Sequence, residues 1–73
     1  MNIILKIEFG VIKLFFDDIL HLRFNKDKLL GFQSWIYDEK FIIEYYLVGG
    51  TIETEYNDKE KWKKILKLLD ENL

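Results

Sequence analysis

The stretch Leu30-Gly31-Phe32-Gln33-Ser34-Trp35-Ile36-Tyr37-Asp38-Glu39-Lys40-Phe41-Ile42-Ile43-Glu44-Tyr45-Tyr46-Leu47-Val48-Gly49-Gly50-Thr51-Ile52-Glu53-Thr54-Glu55-Tyr56 decides the fold. Together with the preceding Leu29, it holds three runs with a side-chain period of two, 29–37, 41–48 and 51–56, punctuated by Glu39-Lys40 and Gly49-Gly50. That period marks half-buried strands, and a two-residue loop fixes which residues face each other across a ladder. A loop at Gly49-Gly50 pairs Leu47 with Ile52, Tyr45 with Thr54 and Ile43 with Tyr56. A loop at Glu39-Lys40 pairs Ile36 with Ile43, Ser34 with Tyr45 and Phe32 with Leu47. Both hairpins turn the same residues of the shared strand inward, so the segment reads as a three-stranded antiparallel meander.

Toward the N-terminus, residues 2–9 alternate Ile3, Leu5, Ile7 and Phe9 against Asn2, Lys6 and Glu8, and Gly10 ends the run. Further strands are predicted over 11–16 and 20–24, with a turn at Asn25-Lys26-Asp27-Lys28. A two-residue loop at Asp17-Asp18 would turn His21 and Arg23 toward the face holding Leu14 and Phe16. A three-residue loop ending at Ile19 keeps the register but puts a β-branched residue where Gly or Asn is preferred, and a short helical turn is the competing reading. Toward the C-terminus, Asn57 is placed as an N-cap with Glu60 three residues on, and Trp62, Ile65, Leu66, Leu69 and Leu73 follow at helical spacing. These signals predict a helix over 58–71, about 20 Å long at about 1.5 Å per residue. The expected fold is α+β, mainly β: an antiparallel β-meander of five or six strands in a single compact domain, 1–73, with one C-terminal amphipathic helix packed on one face. That face is expected to carry Ile3, Leu5, Ile7, Phe32, Ile36, Ile43, Tyr45 and Ile52.

The composition sets bounds on function. The chain has 73 residues with 11 Lys and Arg against 13 Asp and Glu, a formal charge of −2, and neither Cys nor Pro. A disulfide framework and a thiolate metal site are excluded, and a cytoplasmic location is expected. Lys6, Glu8 and Lys13 interrupt the apolar N-terminal run well short of the ~20 residues a membrane span needs, so no targeting segment or membrane partner is expected. Phe, Ile, Asn, Lys and Tyr total 34 residues while Gly, Ala, Arg and Pro total five, a bias toward AT-rich codons that points to a low-GC bacterium or one of its phages. Ala is absent, so the core has to be assembled from large side chains.

Catalysis has little material. His21 is the one histidine and Ser34 the one serine, and the register above sets them on opposite faces, which argues against a nucleophile relay and predicts no enzyme. Asp17-Asp18 and Asn25-Lys26-Asp27 lack the spacing of a calcium loop, so neither metal nor cofactor is expected. The face that the helix leaves uncovered should carry Phe15, His21, Arg23, Gln33, Trp35, Tyr37, Ile42, Glu44, Tyr46, Glu53 and Glu55, with Tyr37 opposite Ile42, Trp35 opposite Glu44, Gln33 opposite Tyr46 and Glu44 opposite Glu55. Of these, Trp35, Tyr37, Ile42, Glu44, Tyr46, Glu53 and Glu55 form the candidate partner-binding set. Aromatics of this kind are common binding anchors, and interleaved carboxylates suit a protein partner with a basic surface.

The expectation is a small protein-binding module, of the kind a phage or mobile element uses to bind and block a host protein. In the alternative reading the chain is a structural homodimer and the aromatic face is its core. A third reading, nucleic-acid binding by Lys59, Lys61, Lys63, Lys64 and Lys67 of the helix, is disfavoured by the negative net charge and the acidic residues around the aromatics.

Overall fold

The structure is a computed structural model describing residues 1–73. Six antiparallel strands are followed by one helix: β1 (Ile3–Glu8), β2 (Val11–Phe16), β3 (Ile19–Asn25), β4 (Leu29–Tyr37), β5 (Lys40–Leu47), β6 (Gly50–Tyr56) and α1 (Lys59–Asn72). The fold is α+β and mainly β, as expected, but the meander is divided. A 3-10 turn over Lys26–Lys28 interrupts the pairing, giving one sheet of order β1-β2-β3 and a second of order β4-β5-β6. The inner faces of both sheets and one stripe of α1 share a single core of Ile3, Ile12, Leu14, Phe24, Ile43, Tyr45, Tyr56, Ile65 and Leu69. No helix is long and apolar enough to cross a membrane.

Hairpin chemistry explains where the turns fall. Asp38 and Glu39 both take left-handed φ, 51° and 63°, so the loop is Asp38-Glu39 and Tyr37 pairs with Lys40. Left-handed φ at both central positions matches the right-handed twist of the flanking strands, and Asp tolerates it. The next loop is Val48-Gly49 rather than Gly49-Gly50, because a turn with positive φ at its second central residue needs one glycine there; Gly49 sits at φ 93° and Gly50 pairs with Leu47. Each ladder is therefore displaced by two residues from the sequence expectation. Trp35 faces Ile42 instead of Glu44, Gln33 faces Glu44 instead of Tyr46, Tyr37 faces Lys40 instead of Ile42, and Glu44 faces Glu53 instead of Glu55. A shift of two leaves every side chain on its expected face.

In the first sheet, Phe9 leaves the core face assigned to it. It forms the β1–β2 turn with Gly10, at φ 51°, and is fully exposed. The β2–β3 loop is the two-residue Asp17-Asp18, with left-handed φ at both residues. The register it would spoil is restored by a bulge at His21, after which Leu22 faces Leu14 and Phe24 faces Ile12.

The cap of α1 is Asp58 rather than Asn57. Its Oδ1 accepts the Glu60 amide at 2.9 Å and the Lys61 amide at 3.3 Å, and a charged carboxylate suits the positive end of the helix. Ile65 and Leu69 are buried, Trp62 and Leu66 half-buried, and Leu73, expected to extend the stripe, is exposed. Trp62 packs its ring at 5.3 Å from that of Phe41 and donates its indole N–H to the Ile42 carbonyl at 3.1 Å, fastening the helix to β5.

One core atom lacks compensation. Tyr45 is wholly buried between Phe24 and Phe32, and its hydroxyl makes no hydrogen bond of ordinary geometry. Burial pushes its pKa far up, the nearby Tyr56 phenol adds to the effect, and the Thr54 hydroxyl partly opposes it; the Thr54 proton itself goes to the Ile43 carbonyl at 3.1 Å. Removing an unsatisfied buried hydroxyl recovers its desolvation cost. Tyr45→Phe is therefore expected to raise unfolding stability by about 1 kcal/mol, seen as a higher urea midpoint at unchanged slope, whereas Asp58→Ala should lower stability by about 1 kcal/mol through loss of the cap.

Candidate functional site

The second sheet presents an outer face whose residues follow from the register. Tyr37, Trp35 and Gln33 project from β4, Lys40, Ile42, Glu44 and Tyr46 from β5, and Glu55, Glu53 and Thr51 from β6. The structure thus brings all seven candidate residues, Trp35, Tyr37, Ile42, Glu44, Tyr46, Glu53 and Glu55, onto one side of one sheet. Phe15 and Arg23 belong to the other sheet, on its outer side.

The seven are not equally accessible. Ile42 is buried, with Trp35 and Glu55 directly across its two ladders, so it forms the floor of the patch and offers a partner little surface of its own. Trp35, Glu44 and Tyr46 are half-buried, while Glu53, Glu55 and Tyr37 are exposed, Tyr37 standing at the hairpin tip. Lys40 reaches Glu55 at 3.5 Å, an exposed pair of small energetic value. Gln33 Nε2 donates to the Tyr46 hydroxyl. Interaction with the neighbouring Glu44 carboxylate favours the protonated phenol and raises the Tyr46 pKa, with desolvation and the carboxylate charge acting in the same direction. These contacts hold Tyr46 in place beside the acidic row.

Glu44 and Glu53 face each other directly across the β5–β6 ladder. Like charges in that position repel, and no cation is paired with either of them. The charge of the whole segment is lopsided: residues 29–57 contain Lys40 against Asp38, Glu39, Glu44, Glu53 and Glu55. The outer side of the first sheet has the opposite character, since Lys6, Lys13 and Arg23 lie opposite one another across all three strands. Glu8 meets Lys13 there at 3.7 Å, and Lys6 Nζ lies 5.5 Å from the centre of the Phe15 ring.

His21, expected on the reverse face, is redirected by its bulge. It stacks on Phe16 at 4.2 Å and its Nε2 lies 2.9 Å from the Tyr56 hydroxyl, bridging the two sheets. Partial burial lowers its pKa, and the positive charge of Lys61, which sits 5.0 Å over the Phe16 ring, lowers it further. Sequence reading missed this bridge because the bulge that creates it has no Gly or Pro to announce it. Its surroundings contain no grouping of three or more His, Asp or Glu able to hold a metal ion. Three surface hollows exist, lined chiefly by the Phe9-Gly10 turn with Asn25-Lys26-Asp27, by the lysine side of α1, and by Met1 with the start of α1; none touches the acidic face. No family model, curated protein or solved structure matches this chain.

The lowered His21 pKa has a definite sign. Above about pH 6.5 the ring is neutral in both folded and unfolded chains. As the pH falls through the interval below that value the unfolded chain binds the proton first, and stability drops. Between pH 7 and pH 5.5 the urea midpoint should fall for the wild-type chain and stay nearly level for His21→Gln. An equal slope in both would assign the dependence to other groups.

Proposed function

We propose that this chain is a small protein-binding module that uses the outer face of its second sheet to dock a protein partner with a basic surface. The observation that carries this reading is the unpaired Glu44–Glu53 repulsion set directly beside Trp35 and Tyr46 on a face that the helix does not cover. A cationic partner relieves the repulsion, and the two aromatics supply desolvated contact area at its centre. Neighbouring carboxylates and aromatic faces also imitate the charge and stacking surfaces of a nucleic acid, so the nucleic-acid groove of another protein is a suitable target. A module of this size acting in the host cytoplasm on behalf of a phage or mobile element is consistent with the low-GC composition. It needs no cofactor and performs no reaction.

Affinity capture tests the proposal. Immobilised chain should retain a basic protein from a low-GC bacterial lysate, with retention weakening as salt rises. Trp35→Ala combined with Tyr46→Ala should abolish it, and Glu44→Lys with Glu53→Lys should reduce it by at least tenfold, while circular dichroism of all variants matches that of the wild type. Retention undiminished in both double variants would remove this face from the function.

A further inference from the structure

The two sheets have four edge strands, β1 and β3 in the first and β4 and β6 in the second. An edge strand presents unpaired N–H and C=O groups, and soluble chains blunt such edges with charge, proline or cover. Three of the four follow that rule: β1 carries Lys6 and Glu8, β3 carries Arg23, and β6 carries Glu53 and Glu55. β4, nine residues long, Leu29-Leu30-Gly31-Phe32-Gln33-Ser34-Trp35-Ile36-Tyr37, has neither a charge nor a proline. It has β5 as its one ladder neighbour, and Leu30, Ile36 and Tyr37 are 72%, 55% and 70% exposed. Ile36 is exposed although it lies on the inner side of its sheet, level with Phe41.

Gly31 is a second, independent sign. A glycine inside a strand weakens it and marks either a bulge, such as the one between Leu29 and Gly31, or a place where another chain approaches closely. Its backbone does not take positive φ, so the adjoining irregularity at Leu30 does not require glycine, and a Cβ added there would meet nothing within 4 Å. Nothing within the chain accounts for the missing side chain.

We infer that β4 is a self-association edge and that its occupant is the β4 strand of a second copy, paired antiparallel about a two-fold axis at Gln33 to give one continuous six-stranded sheet. This register sets Gly31 opposite Trp35 of the second copy, and the converse, so that each indole lies over the space a glycine leaves open, a pairing known to stabilise glycine in strands. Phe32 then faces Ser34 of the second copy. Over residues 31–35 this register keeps inner residues beside inner residues and outer beside outer. Two-fold pairing is also closed, so the exposed edge is consumed and no filament follows. The dimer shares Trp35 and Tyr37 with the proposed partner face but leaves β5, β6 and their carboxylates open, so the edge substitutions at Ser34 and Ile36, which lie outside that face, test it separately.

Light scattering on a size-exclusion column across a dilution series tests it. The wild type should run at twice the 8.9 kDa chain mass at the concentrated end. Ile36→Lys and, separately, Ser34→Lys place a charge on the edge at exposed positions and should each run at the single-chain mass with an unchanged circular dichroism spectrum. Gly31→Val should weaken the dimer while leaving the monomer at least as resistant to urea. Outward-facing amides of residues 31–37 should exchange more slowly in the wild type than in Ile36→Lys. A wild type that stays at 8.9 kDa throughout overturns the inference. So does a dimer that survives all three substitutions, and if Glu53→Lys disrupts that dimer, the acidic face is its interface instead.

Discussion

The stripe of Trp62, Ile65 and Leu69 completes the core that both sheets share. Small sheets gain independent stability from an apolar face or from packing against a helix, and these two share no ladder bond. What joins them is the wedge of buried side chains in which Ile65 and Leu69 meet Ile3 from β1 together with Ile43 and Tyr45 from β5. The Trp62 indole bond to the Ile42 carbonyl sets the position of the helix along β5, and the His21–Tyr56 contact ties the far side of the first sheet to β6. With all of the helix's apolar capacity used on the inner faces, no secondary element remains to cover the outer ones. The open acidic face is therefore a consequence of how a short chain spends its single helix.

Large side chains shape this arrangement. Without Ala, the core layers are filled by Ile, Leu, Phe and Tyr, and the interior cannot draw the sheets together by close backbone contact. Tyr45 shows what such filling entails: its ring fits between Phe24 and Phe32, but its hydroxyl is carried into a place with no ready partner. Elsewhere the same abundance of aromatics is put to polar use, where Tyr56 meets His21 and Tyr46 accepts from Gln33.

Much of this was legible in the residues themselves, and the reasons differ by feature. Side-chain period, together with the turn and capping residues, located the segments of five or six strands and the helix, and it assigned Trp35, Glu44, Tyr46, Glu53 and Glu55 to one face, because the period is insensitive to a displacement of two. The partners across each ladder were not legible: they depend on which residues tolerate left-handed φ, and here Asp38-Glu39 and Val48-Gly49 took the turns instead of the more obvious Glu39-Lys40 and Gly49-Gly50. The division into two sheets was hidden as well, since the Lys26–Lys28 turn contains no glycine or proline and reads as one more hairpin connection. The bulge at His21 was unmarked for the same reason. Solvent exposure along β4 could not be foreseen either, because it depends on the helix lying against β1, β5 and β6 and on β4 standing at a sheet edge rather than on any residue of the strand.

The order of pairing along the chain has a kinetic meaning. Every ladder joins strands adjacent in sequence through a loop of two residues, so each hairpin closes with little loss of chain entropy, and the two meanders can form early and independently. Contact between α1 and β1, by contrast, spans nearly the whole chain. Until residues 59–72 have emerged from the ribosome, the inner faces have each other but lack the Ile65 and Leu69 side chains that complete their core, so helix docking is expected to come last and to close the interval in which apolar surface is exposed.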